Sequence, residues 1–210
     1  KQKTCTAILE VTHRCNLQCP VCFAACDGEA QPDPDIDSLA RTLEEVKIKA
    51  GLCPLQISGG EPTLRDDLPQ IVALAHSMGF DPIQINTNGI RLAQEEAYGR
   101  ALVKAGASVV YLQFDGLAPA VYQRIRGTDL LPFKLQTIRN SAQWGVGVIL
   151  VPTLIRGVND NQVGDIIQFA KDWVPTVRGV HFQPITYLGR YPQSPKNEDR
   201  FLLSDLLDAI

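Results

Sequence analysis

Ile83-Gln84-Ile85-Asn86-Thr87-Asn88 and, further along, Val110-Tyr111-Leu112-Gln113-Phe114-Asp115 alternate apolar with polar residues. Successive side chains of a strand point to opposite faces, so each segment carries one apolar and one polar face. Helices cover the apolar face of a parallel sheet. The polar face then lines something wet or ligand-filled, because polar groups sealed without partners in a hydrocarbon core cost free energy. Glu10 and Thr12, Gln56 and Ser58, and His181 and Gln183 extend the same parity. The pattern predicts an α/β protein with a curved parallel sheet, a partial (β/α)6 TIM-like barrel with its polar residues on the concave side. A flat doubly wound sheet would need apolar residues on both faces.

Outward from these segments, Val- and Ile-rich runs alternate with helix-like stretches over nearly the whole chain. Strands are expected at 6–12, 54–58, 82–88, 109–115, 146–153 and 180–185. Ser38 is expected to cap a helix over 39–50, Asp66 to open one closed by Gly79, and Pro119 to occupy a first helical turn. Within 161–173, Ile166, Ile167, Ala170 and Trp173 form one apolar stripe that should pack on the sheet. The acidic, Pro-containing stretch 27–37 reads as a solvated loop, and the chain as one domain over 1–210.

Composition narrows the function classes. Of the 210 residues 45% are hydrophobic and 20% charged, close to a globular average. No run approaches the roughly 18 apolar residues of a membrane span. Lys+Arg 20 against Asp+Glu 23 gives a net charge of −3 with no basic stripe, so nucleic-acid binding is not expected. With Lys1 rather than Met first, and no signal-like pattern before Thr6, targeting information is either absent or trimmed away; a fragment of a longer chain is one expectation.

Four of the six cysteines crowd together: Cys15, Cys19, Cys22 and Cys26, directly after the first strand. A chain large enough to fold without staples has little use for such a disulfide framework, so the cluster reads as a metal site in a reducing, cytoplasmic compartment. Zinc commonly takes two separated ligand pairs, and no second pair is visible. Short-spaced thiolates suit an iron-sulfur cluster, and three ligands on a four-iron cluster leave one iron open. Cys26 as a fourth ligand would close it into an electron carrier. Cys5 and Cys53, at the opposite ends of strands, read as small buried residues. The second strand runs into Ser58-Gly59-Gly60-Glu61-Pro62-Thr63, where two glycines let backbone approach a ligand and Glu61 can accept hydrogen bonds from an amino group.

The CxxxCxxC loop at Cys15, Cys19 and Cys22, followed by GGEP at Gly59 to Pro62, resembles the two main motifs of the radical S-adenosylmethionine (radical SAM) superfamily. The resemblance implies a [4Fe-4S] cluster on the three cysteines and SAM on the open iron, with Gly59, Gly60 and Glu61 serving the methionine amino group. Asn86-Thr87-Asn88-Gly89 resembles the family's TNG strand end. Gln113-Phe114-Asp115-Gly116 resembles its SLDG segment, with Gln in place of the common Ser. Arg126 resembles the arginine that pairs with the SAM carboxylate, and Gln183 and Pro184 lie where relatives bound the adenine pocket. Local wording at Cys19 to Ala24, Tyr111 to Gly116, Val158 to Asp160 and His181 to Pro184 is similar to the group that includes archaeal tetraether lipid synthase, formerly assigned as a pterin dimethyltransferase. A small-molecule, lipid or peptide substrate and a low-potential electron donor are implied partners. Tyr111 and His181 serve equally well as satisfied interior residues or as groups orienting the substrate.

Overall fold

A computed structural model describes residues 4–26, 32–192 and 194–210. The first part of the expected acidic loop, 27–31, lies outside them. In chain order the elements are β1 (Ala7–Glu10), α1 (Ile36–Ala50), β2 (Leu55–Ser58), α2 (Leu68–Ser77), β3 (Ile83–Thr87), α3 (Ile90–Gln94), α4 (Glu96–Ala105) and β4 (Ala107–Gln113). They continue with α5 (Pro119–Arg126), α6 (Leu131–Trp144), β5 (Gly147–Val151), β6 (Thr153–Leu154), α7 (Val163–Asp172), β7 (Val177–Val180), β8 (Gln183–Pro184) and α8 (Leu203–Ala209).

The main sheet is parallel, in the order β1-β2-β3-β4-β5-β7. Right-handed crossovers between strands that always advance in one direction put every connecting helix on the same face, whereas a doubly wound sheet reverses its order midway. The architecture is therefore a partial barrel, as the alternation predicts. Leu9, Val11, Leu55, Ile57, Ile83, Ile85, Val110, Leu112, Val148 and Leu150 point to the helices and join one buried core. The opposite parity, Gln56, Ser58, Gln84, Asn86, Tyr111 and Gln113, is only half-buried. Asn86 Nδ2 donates to Ser58 Oγ across two strands (3.1 Å).

Several local expectations shift. Asp35, not Ser38, caps α1: its side chain accepts from Ser38 N at 2.7 Å. The second helix starts after Asp67, while Asp66 pairs with Arg91 (2.7 Å). The α7 stripe divides: Ile166 and Ala170 enter the main core, whereas Ile167 packs on a satellite cluster with Leu154 and Phe201. Cys53 is buried as expected, but Cys5 is exposed.

The expected strand at 180–185 is two strands. β7 begins earlier, pairs with β5 and ends at Val180; β8 pairs with β6. The step falls opposite Pro152, which has no N–H to donate to the ladder, although its carbonyl still accepts from Gln183 N (2.9 Å). Thr12 also departs from the concave set: it is buried, and its Oγ1 donates to Asp33 Oδ1 (2.6 Å). Among the described residues no helix is long and apolar enough to cross a membrane.

Candidate active site

The GGEP turn is pressed onto the end of β1. Gly60 N donates to Thr12 O and Glu61 N to Arg14 O, both at 2.8 Å. A Cβ on Gly59 would lie 2.2 Å from Thr12 O, and one on Gly60 2.2 Å from Arg14 O, so only glycine permits this approach. The turn thus fixes the start of the cysteine loop. Glu61 is buried, and both its oxygens are engaged: Oε1 accepts from Thr63 N (3.1 Å), Thr63 Oγ1 (2.6 Å) and Thr87 Oγ1 (2.7 Å), Oε2 from Asn88 N (2.7 Å). Its first role is to join the ends of β2 and β3.

Cys15, Cys19 and Cys22 line one cavity of about 170 Å³, together with Gly59, Gly60, Glu61, Asn86, Asn88, Gln113, Arg126 and Gln183. Burial pushes the Cys15 thiol up to about 11, against a backbone hydrogen bond at Leu17 that acts the other way. Burial also raises Cys19, with the Arg126 guanidinium opposing it. Both thiols stay protonated at neutral pH until a cation compensates the thiolate, so metal capture here releases protons. Among the described residues, no three His, Cys, Asp or Glu side chains are grouped closely enough to hold a metal ion. Thiols spread around a shared cavity fit a multi-iron cluster better than a lone tetrahedral ion. Cys26 lines the same cavity.

Beneath the cavity runs a buried polar chain. Arg126 Nε and one terminal nitrogen grip the Asp115 carboxylate at 2.8 Å each, and that carboxylate also accepts from Gln113 Nε2 (3.1 Å) and Thr153 N (3.2 Å). Lys134 Nζ donates to Gln113 Oε1 (3.0 Å) and to Asn88 O. Gln113 is thereby held with its oxygen toward Lys134 and its nitrogen toward Asp115. Asn88 Nδ2 donates to Asn16 Oδ1 (2.8 Å), tying the strand end to the cysteine loop.

Lys134 is fully buried, and desolvation lowers its pKa from 10.5 to about 7, Asp115 opposing the fall. Between those values the unfolded chain holds the lysine proton and the folded chain releases it, so this group makes stability rise with pH above about 7. Below that the lysine is charged in both states and the burial cost is full. Relative to Lys134→Met, the parent chain should gain up to about 1.4 kcal/mol per pH unit between pH 7.5 and 9. Urea unfolding across that window measures it; a constant difference between the two chains contradicts it.

A second cavity of about 550 Å³ adjoins the first, sharing Cys22, Phe23, Arg126, Thr153 and Gln183 and extending along His181 to Thr186. It offers room beside the cysteines for a second molecule. Tyr111 and His181 meet edge-on, with ring centroids 6.3 Å apart, on the concave face.

The structure brings the sequence-derived residues together with one difference: Asp115 does not line the cavity but sits behind Arg126 with its carboxylate fully buried. Sequence reasoning missed Lys134, Thr87 and Asn159. Asn159 Nδ2 donates to Asp115 O (2.7 Å) and Thr153 O (2.9 Å), joining the segment after β4 to β6. In sequence Lys134 is indistinguishable from a solvated helix lysine.

The Radical SAM superfamily model matches residues 9–170. The chain belongs to the Radical SAM superfamily, whose members use a [4Fe-4S] cluster and S-adenosylmethionine. It is 42% identical to the 7,8-dihydro-6-hydroxymethylpterin dimethyltransferase of Methanocaldococcus jannaschii, over 100% of this chain and 42% of the relative. It is 30% identical to the GTP 3′,8-cyclase of Nautilia profundicola, over 83% of this chain and 55% of the relative. The chain thus spans about half the length of the curated relatives it matches. In fold it is similar to Streptococcus suis SuiB bound to S-adenosylmethionine, with a TM-score of 0.75 at 17% identity, over 99% of this chain and 46% of that one.

Proposed function

We propose that Cys15, Cys19 and Cys22 hold the [4Fe-4S] cluster and that the open part of the cavity takes SAM. When bound and reduced by a low-potential donor, these groups supply a 5′-deoxyadenosyl radical that abstracts hydrogen from a substrate carbon. The observation that carries this reading is the convergence of Cys15, Cys19 and Cys22 with the GGEP turn on one cavity at the strand ends. Gly59 and Gly60 keep backbone close to the SAM amino group, with Glu61 fixing the turn. Arg126, oriented by Asp115 and also donating to Thr153 Oγ1 (3.2 Å) and Val21 O (3.4 Å), offers its positive charge on the cavity wall to the SAM carboxylate, and Asn86, Asn88, Gln113 and Gln183 line the nucleoside end. The larger cavity receives the substrate, and its walls exclude water from the reacting carbon.

The substrate is a small molecule, lipid or peptide. Likeness to the pterin dimethyltransferase supports methylation or carbon–carbon bond formation on a lipid or pterin. Anaerobic reconstitution followed by reduction with SAM present should yield 5′-deoxyadenosine and methionine; no 5′-deoxyadenosine would refute the proposal. Arg126→Ala also strands the buried Asp115 carboxylate, so it is read on the folded fraction of the protein; there it should keep the cluster but raise the SAM concentration needed about 10- to 100-fold, the effect of losing a charge-assisted hydrogen bond. The competing reading, an electron carrier closed by Cys26, is favoured only by the place of Cys26 on the cavity wall, and it predicts indifference to SAM.

A further inference from the structure

The segment after β8 returns to the cysteine loop. Arg190 N donates to Cys22 O (2.8 Å), and Cys22 N donates to Arg190 O (2.9 Å), an isolated antiparallel bridge. The Arg190 guanidinium donates to Cys19 O (3.0 Å) and Cys26 O (2.8 Å). One residue therefore ties the backbone of three cysteines that lie more than 160 positions earlier in the chain. Its neighbour Gly189 has φ +70°, and a Cβ there would lie 2.2 Å from Phe23 O and 2.5 Å from Cys22 O. No other side chain fits.

A second observation lies within the loop. Ala25 is the one non-glycine residue with positive φ (+46°) among the described residues, a conformation that persists only where the surroundings enforce it. Arg190 grips the carbonyls of Cys22 and Cys26 on either side of it. Within the loop a turn, Ala25 N donating to Cys22 O (3.2 Å), leads into this residue, and the same Cys22 carbonyl is the one that accepts from Arg190 N.

We propose that Gly189-Arg190 is a clasp that positions the cysteine loop for cluster retention, making Gly189 and Arg190 positioning residues of the site. This rests on the three cysteines being the cluster ligands. A bidentate fork is required because two carbonyls are held at once, which a lysine ammonium at the same place does poorly.

The test compares the reconstituted parent chain with Arg190→Met, Arg190→Lys, Gly189→Ala and, as a control in the same segment, Tyr187→Phe. The Tyr187 hydroxyl donates to Asp199 O (2.7 Å), not to the loop. In the metal-free chains, amide exchange at Cys22 should quicken about tenfold or more in Arg190→Met and Gly189→Ala. In the reconstituted chains, iron loss to a chelator should quicken by a similar factor, with Arg190→Lys intermediate and Tyr187→Phe at the parent rate. Unchanged exchange at Cys22 overturns the clasp; faster exchange with unchanged iron loss overturns its link to the cluster. Equal acceleration in Tyr187→Phe would reduce the effect to general loosening and also overturn it. A parent chain that binds no cluster, with exchange responding as expected, refutes the proposed function while the loop clasp stands.

Discussion

Replacing Cys19 with alanine is expected to abolish cluster binding: iron per chain after anaerobic reconstitution falls to background, and no 5′-deoxyadenosine forms. Cys19 is the most enclosed of the three proposed ligands, 8% exposed, and it faces Arg126. A three-ligand cluster has no spare protein ligand, so losing one leaves two irons without protein support. Truncating one small buried group should cost the metal-free fold only about 1 kcal/mol, so the loss is one of ligation rather than folding. Cys26→Ala, by contrast, should retain the cluster. Retention in Cys19→Ala would reject the ligand assignment, and loss in Cys26→Ala would favour the closed electron carrier.

Asp115→Ala is expected to be the most damaging change to the fold near the site. The carboxylate is fully buried, and its four donors come from Arg126, Gln113 and the backbone of Thr153. Removing it strands the guanidinium of Arg126, itself 10% exposed, without a counter-charge. Breaking one partner of a buried pair costs about 3–5 kcal/mol, a large share of the roughly 5–15 kcal/mol that holds a domain folded. The double change Asp115→Leu with Arg126→Met removes both charges and should recover most of that loss while leaving SAM binding impaired. Denaturant unfolding of the single and double variants decides it. A cost below about 1 kcal/mol for Asp115→Ala would mean that the pair is solvated or dispensable.

The fold was legible because its signal is local and repeated. Period-two alternation in 83–88 and 110–115 separates a helix-covered face from an open one, and that distinction alone selects a curved sheet over a flat one. The cysteine loop and the GGEP turn were legible for a different reason: each sits within a dozen residues and its chemistry needs those residue types. What was not legible depends on long-range pairing. Lys134 lies in an ordinary amphipathic helix and becomes a site residue only because α6 packs beneath the ends of β3 and β4, bringing its side-chain nitrogen to Gln113 and Asn88. Arg126 could be chosen from its surroundings, but its engagement with Asp115 could not. Arg190 carried no local signal, since its partners lie at the other end of the chain. The division of the last strand escaped notice because the interruption originates in Pro152 on the neighbouring strand.

With Cys15, Cys19 and Cys22 as ligands, one iron is left for SAM to occupy. Electron paramagnetic resonance of the reduced, reconstituted chain, recorded before and after adding SAM, reports on that iron. A cluster signal whose g-values shift on SAM addition, in the parent and in Cys26→Ala alike, is the result expected. A signal unmoved by saturating SAM would contradict it.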